Sequence, residues 1–224
     1  MTFKRILGVL ALCVAACVCS VAAAADVAVA TTPVEGTDYV LIDNPDQPSG
    51  TKVQVTEVFS YTCIHCSNFQ PSLAAWKKTL PSDVQFSYMP AAFGGIWDMW
   101  ARAFYAAQAL HVQEKSHDSI YKAVFVDKRV INGEDIPAVY ADYGVDPTVF
   151  ASTMQSPAVS AKLAGAHGQQ VHWGIQGTPT LIVDGKYRAA MNASGPAGLL
   201  HTVDWLVAKQ RAEHASQKPG HAKH

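Results

Sequence analysis

The sequence predicts an α/β fold in which a central mixed sheet is interrupted by an all-helical insertion. Three observations predict it: a β-α-β pattern over residues 53–88, a purely helical pattern from about Trp97 to Trp173, and a return to strand in a tight hairpin at residues 180–190. At 224 residues the chain can bury a full core. With 16% charged residues and a net charge of -1, it carries no electrostatic footprint for nucleic acid.

The elements follow in order. Tyr39–Ile42 and Val53–Phe59 are β-rich and partly alternating, with Pro45, Pro48, Ser49 and Gly50 as the turn between them. From Cys63 to about Leu80, the spacing of Phe69, Leu73, Trp76 and Leu80 is helical, and Pro71 falls inside that helix. Val84–Tyr88 is the third strand. Trp97, Trp100, Ala101, Phe104 and Ala107 form one apolar helical stripe, and Ile120, Val124 and Phe125 suggest another. Asp146-Pro147 and Ser156-Pro157 each place a capping side chain before a proline at the first helical position, and Gly174 stops the last helix of the insertion. Thr180–Val183 and Lys186–Ala190 flank Asp184-Gly185, a strong hairpin signal. A helix over about Pro196–Lys209 closes the packed region. The expected organisation is therefore a leader at 1–25, a sheet domain from 26–95 and 174–210, a helical insertion at 96–173, and a disordered tail at 211–224.

Lys4 and Arg5, an apolar run from Ile6 to about Val18, and Ala23-Ala24-Ala25 have the form of a cleaved export signal; the run is short for a membrane anchor. Cleavage after Ala25 removes Cys13, Cys17 and Cys19 and leaves Cys63 and Cys66 as the only cysteines. The alternative is lipoprotein processing at Cys17, after Val14-Ala15-Ala16, which retains a spare thiol at Cys19.

The chemistry concentrates in Cys63-Ile64-His65-Cys66, at the end of a strand and the start of a helix. Half a zinc site is one reading, but structural zinc wants four ligands, and the mature chain has no second C-x-x-C and no H-x-x-x-H. A structural bridge is another, though so small a loop restrains the unfolded chain little. A redox dithiol is the reading favoured by a thiolate at a helix start, where free N–H groups stabilise an anion. His65 adds an imidazole that either lowers the Cys63 pKa further or is a solvent-exposed polar filler; Cys66, one turn in, faces the domain. Gly177-Thr178-Pro179-Thr180 places a proline directly before a strand, either as an ordinary trans residue or as a cis turn that exposes the Thr178 backbone for pairing with a substrate chain. His111, His117, His167, His172 and His201 are scattered over helices, and His214, His221 and His224 lie in the tail, where weak adventitious metal binding is the most expected.

These residues resemble the bacterial DsbA family of periplasmic protein-disulfide oxidases. The resemblance spans residues 36–209 and rests on Glu57–Tyr61 leading into Cys63-Ile64-His65-Cys66, the helical insertion, and Gly177–Thr180 followed by Val183–Tyr187. It implies a thioredoxin-like fold, an exposed nucleophile at Cys63, a buried Cys66 that pairs with it as a disulfide, and a cis Pro179. It also implies unfolded exported proteins with free cysteines as substrates and a DsbB-like, quinone-linked membrane protein as reoxidant. No cofactor or bound metal is expected, and a monomer is. The competing readings are a reductase or isomerase and a non-enzymatic metal-binding or chaperone module using Cys63, His65 and Cys66. Two departures from the family stand out. Ile64 replaces its usual proline and restores a backbone N–H near the sulfur. Glu57 matches a buried acid that in the family sits near a lysine on the next strand, yet Val84–Tyr88 hold no lysine; Glu57 is then protonated, paired elsewhere, or turned to water.

Overall fold

The computed structural model describes residues 31–47 and 50–217. The export leader and residues 218–224 of the expected tail lie outside the described residues. Five strands, β1 (Val40–Leu41), β2 (Val53–Phe59), β3 (Val84–Pro90), β4 (Thr180–Val183) and β5 (Tyr187–Ala190), form one mixed sheet in the order β1-β5-β4-β2-β3. β2 and β3 are parallel, as a β-α-β unit requires, and every other pairing is antiparallel. The Asp184-Gly185 turn has positive φ at both residues (52° and 59°), the backbone that matches the twist of a two-residue hairpin.

β2 is covered on both faces, and its successive side chains go to opposite sides of the sheet. Val53 and Val55 pack with Phe69, Leu73 and Trp76 of α1 (Ile64–Lys77) and with Leu199, Val203 and Leu206 of α7 (Gly195–Gln217). Val58 turns the other way, against Ile182 and Trp173. Glu57 shares the period-2 face of Val53 and Val55, which is why a carboxyl comes to lie under α1.

Between β3 and β4 the chain is helical: α2 (Ile96–Ala109), α3 (Gln113–Phe125), α4 (Ile136–Val139), α5 (Pro147–Met154) and α6 (Pro157–His172). Asp146 accepts from Thr148 and Val149 N–H, and Ser156 from Val159 N–H, so both proline-marked starts are capped. Gly174, at φ 62°, ends α6, and the Arg188 guanidinium takes the Trp173 and Gly174 carbonyls. The insertion shares its core with the sheet: Phe59, Tyr61, Cys63 and Cys66 pack among Trp100, Phe104, Ile120, Tyr140 and Phe150. Gln170 of α6 fastens it to the end of β3, donating to the Pro90 carbonyl and accepting from Ala92 N–H, both at 2.9 Å.

Three sequence expectations are corrected. β1 shrinks to two residues, and α1 ends at Lys77 rather than Leu80. Residues 211–217, read as tail, continue α7. The reason is tertiary: Lys186 reaches Glu213 at 2.5 Å, Arg211 reaches Asp83 at 2.7 Å, and His214 lies 3.0 Å from the buried carboxylate of Asp184. These are partners from the β4–β5 turn and the loop before β3, which no periodicity within residues 211–217 reports.

Candidate active site

Cys63 is the N-cap of α1, with extended backbone (φ -93°, ψ 111°), and its sulfur accepts from Cys66 N–H at 3.3 Å. A side chain in this position meets the free N–H groups of the first turn. Both cysteines are free thiols, the reduced state of the pair. Cys63 is held down at about 5, chiefly by a hydrogen bond from the Cys66 thiol, with the Thr178 side chain and the Cys66 and His65 backbone N–H groups adding to it against the cost of partial burial. Burial pushes the Cys66 thiol far up, and its hydrogen bond to Cys63 adds to that. The two sulfurs therefore differ sharply: Cys63, at 9% exposure a largely covered sulfur and not the exposed one the resemblance implies, is poised to ionise, while Cys66 is fully buried.

The Thr178–Pro179 bond is cis and brings the Thr178 carbonyl 3.3 Å from Cys63 Sγ. The Thr178 hydroxyl is buried, lacks an oxygen or nitrogen partner, and acts on both sulfurs. Ile64 and His65 are exposed at the rim. His65 acts on Cys63 through its backbone N–H, which any residue but proline supplies.

Glu57 is wholly buried and pushed up to about 8 by desolvation, against a hydrogen bond from Gln70 and the charge of Lys77. The open question about its partner is thus answered by α1, not by a neighbouring strand. Lys77 stands at the end of that helix with its ammonium 2.5 Å from Tyr88 Oη and over the Tyr88 and Phe86 rings. Tyr88 is the β3 residue in register with Glu57.

Sequence reasoning missed Gln70, Lys77, Tyr88 and His117. Gln70 was findable, since it lies four residues after Cys66 and so on the same helix face. His117 was not. It sits 3% exposed on α3 among Phe59, Tyr61, Tyr88, Phe104 and Tyr121, with Nδ1 2.8 Å from Tyr61 Oη. Desolvation lowers it to about 3, so it is neutral in the folded protein. A depressed histidine contributes stability above its unfolded pKa of ~6.5 that is lost as pH falls towards 3. His117→Phe should therefore be more stable than the wild type by about 2 kcal/mol at pH 4, ~3 from the avoided protonation less ~1 for the Tyr61 hydrogen bond. At pH 8 it should be less stable by about 1 kcal/mol. Urea melts at the two pH values check this, and a variant that is weaker at both removes the buried neutral imidazole from the account. His214 is likewise corrected from a tail residue to a partner of Asp184.

An N-capping thiol of low pKa, a buried second thiol and a cis-proline loop on a mixed sheet define a thiol–disulfide oxidoreductase of thioredoxin fold. Comparison with known proteins places it more narrowly. A family model of the DSBA-like thioredoxin domain matches residues 54–204, and the chain belongs to that family. The thiol:disulfide interchange protein DsbA of Pseudomonas aeruginosa is 34% identical over 182 residues, 79% of this chain and 85% of that one. That of Azotobacter vinelandii is 33% identical over 190 residues, covering 84% and 86%. Among solved structures, oxidoreductase DsbA from Xylella fastidiosa superposes with a TM-score of 0.77 at 35% identity, over 81% of this chain and 100% of that one.

Proposed function

We propose that the protein is a periplasmic dithiol oxidase that introduces disulfides into unfolded exported proteins. The observation that carries this reading is the asymmetry of the dithiol: whatever stabilises the Cys63 thiolate stabilises the reduced protein alone, since a disulfide carries no charge. A substrate thiolate attacks Cys63 Sγ of the Cys63–Cys66 disulfide, the S–S bond breaks, and its electron pair leaves on Cys66. That sulfur is too basic to remain a thiolate in its buried place, and Glu57, protonated near neutrality, supplies the proton. A second substrate thiolate then attacks the substrate sulfur of the mixed disulfide and expels Cys63 as a stable thiolate. The sum is two substrate thiols oxidised and one protein disulfide reduced. Thr178 and Pro179 form the edge against which the substrate chain lies, and Ile64 and Glu57 tune the pair.

Reoxidation falls to a DsbB-like, quinone-linked membrane protein. The leader is cleaved after Ala25, leaving a soluble monomer; intact mass decides this, and an acylated N-terminal Cys17 overturns it.

The test is to incubate the oxidised protein with a reduced, unfolded two-cysteine protein and follow disulfide gained against disulfide lost. One-to-one transfer supports the reading, whereas a resting state in cells that is mostly dithiol turns it towards reductase or isomerase. Reduced protein at pH 6 should also alkylate once, quickly, at Cys63; faster labelling of Cys66 reverses the assignment of roles.

A further inference from the structure

β3 is an outer strand of the sheet, and its pairing with β2 fixes which of its peptide groups are spent. Val53 N–H donates to the Asp83 carbonyl and Ala91 N–H to the Phe59 carbonyl, so along β3 the odd-numbered residues bond to β2 and the even-numbered ones face outward. The ends of the outward row are partly closed: Val84 N–H turns back to the Pro81 carbonyl, and Pro90 has no N–H and gives its carbonyl to Gln170. Phe86 and Tyr88 stay open. Among the described residues, neither the N–H nor the C=O of either has a hydrogen-bond partner.

A groove of about 420 Å³ adjoins these residues, with Phe86 and Tyr88 on the strand side and Gln108 of α2 and Glu114 and Asp118 of α3 on the other. An occupant must bring backbone donors and acceptors at strand spacing and fit between strand and wall. An extended chain does both, whereas a second folded copy would have to press its own body against α2 and α3. Glu114 and Asp118 are exposed, one turn apart on α3, and among the described residues neither forms an ion pair. Lys77 also lines the groove, its ammonium held by Tyr88 Oη, and His117 lines it as a neutral imidazole. Two carboxylates against one ammonium leave the groove negative, which favours a basic chain.

We infer that the β3 edge is a docking site for substrate apart from the dithiol, where an extended basic segment of an unfolded exported protein adds to the sheet as a further strand, pairing with Phe86 and Tyr88 and facing Glu114 and Asp118. That the segment belongs to an exported protein rests on the function proposed above; the open edge does not. The chain is held through its backbone, so the site tolerates many sequences. Tyr88 is in register with Glu57, towards the end of β2 that leads into Cys63. A chain held here keeps its cysteines at high effective concentration near the dithiol.

The probe is a cysteine-free decapeptide of alternating lysine and valine, added to the oxidised mature protein while amide hydrogen exchange is read residue by residue. Saturating peptide should slow exchange at Phe86 and Tyr88 at least about tenfold and leave Gln85 and Ser87, already bonded to β2, within about twofold. Phe86→Pro removes an outward N–H without touching the β2 ladder and should weaken binding about tenfold. Glu114→Gln combined with Asp118→Asn should weaken it about fivefold and flatten its salt dependence. That double variant changes only exposed side chains and carries the test should Phe86→Pro not fold. Protection confined to the Thr178 loop overturns the site, as does wild-type affinity in Phe86→Pro or in the double variant. A concentration-dependent dimer abolished by Phe86→Pro also overturns it, giving the edge to a second copy. These outcomes leave the oxidase reading standing. Failure of one-to-one disulfide transfer to a reduced two-cysteine protein, with Phe86 and Tyr88 still protected by the peptide, strikes that reading and not the edge.

Discussion

Between pH 5 and pH 8 the reduced protein is expected to gain about 3 kcal/mol of stability over the oxidised protein. The native Cys63 pKa of about 5 lies well below the ~8.5 of an unfolded thiol. A depressed pKa contributes stability that is complete above the unfolded value and is lost as pH falls through the native one. At pH 8 nearly three pKa units count, ~4 kcal/mol, and nearer 3 once solvent screening of the part-open sulfur is allowed for. The disulfide offsets this through the unfolded chain, but a bridge across so short a loop contributes only ~2 kcal/mol and does so equally at every pH. The two forms should thus be close in stability near pH 7, with the reduced form ahead by about 1 kcal/mol at pH 8 and the oxidised form ahead at pH 5. Guanidinium melts of both forms across this range measure the gap. The same ~3 kcal/mol is ~60 mV towards oxidising behaviour in a two-electron couple. A gap that stays flat with pH would sink the thiolate account and, with it, the oxidase direction.

Glu57→Gln is expected to stabilise the oxidised protein by roughly 3 kcal/mol at pH 8 while changing it by less than about 1 kcal/mol at pH 5. Burial raises Glu57 to about 8 from an ordinary 4.5. A raised carboxyl contributes most below its unfolded pKa and loses that contribution as pH rises through the native value, because the unfolded chain ionises first. Glutamine keeps the size and the hydrogen bonding to Gln70 but cannot ionise, so the loss disappears. Chemical melts of oxidised wild type and variant from pH 4.5 to 9 should diverge as pH rises. Parallel curves would mean that Glu57 titrates normally and is not a proton donor to Cys66. The gain in stability should come with slower reduction of the disulfide, the expected trade where a strained group serves the chemistry.

Much of this site was legible in the chain because its logic is local. Cys63 and Cys66 are three residues apart at a strand-to-helix junction, so the N–H groups that hold the thiolate belong to the same segment. The caps at Asp146 and Ser156, the Asp184-Gly185 turn and the alternation of β2 are short-range as well. The burial of Glu57 was left open by the sequence, which allowed it to turn to water; the packing of α1 over the face it shares with Val53 and Val55 decided it.

What the tertiary structure alone decided is what surrounds those residues. The sequence by itself determined the dithiol, its helix start, the order of strands and helices, and the interruption of the sheet by an insertion, since each depends on neighbours within one or two turns. It could not determine that Lys77 and Gln70 of α1 would attend Glu57 in place of a lysine on β3, that His117 would be buried neutral against Tyr61, or that α7 would run on to Gln217. Each of these turns on desolvation or on a partner brought in by another element. Those are properties of the packed molecule: the free energy of a charge depends on the medium and the groups around it, and the sequence specifies that environment only through the completed fold.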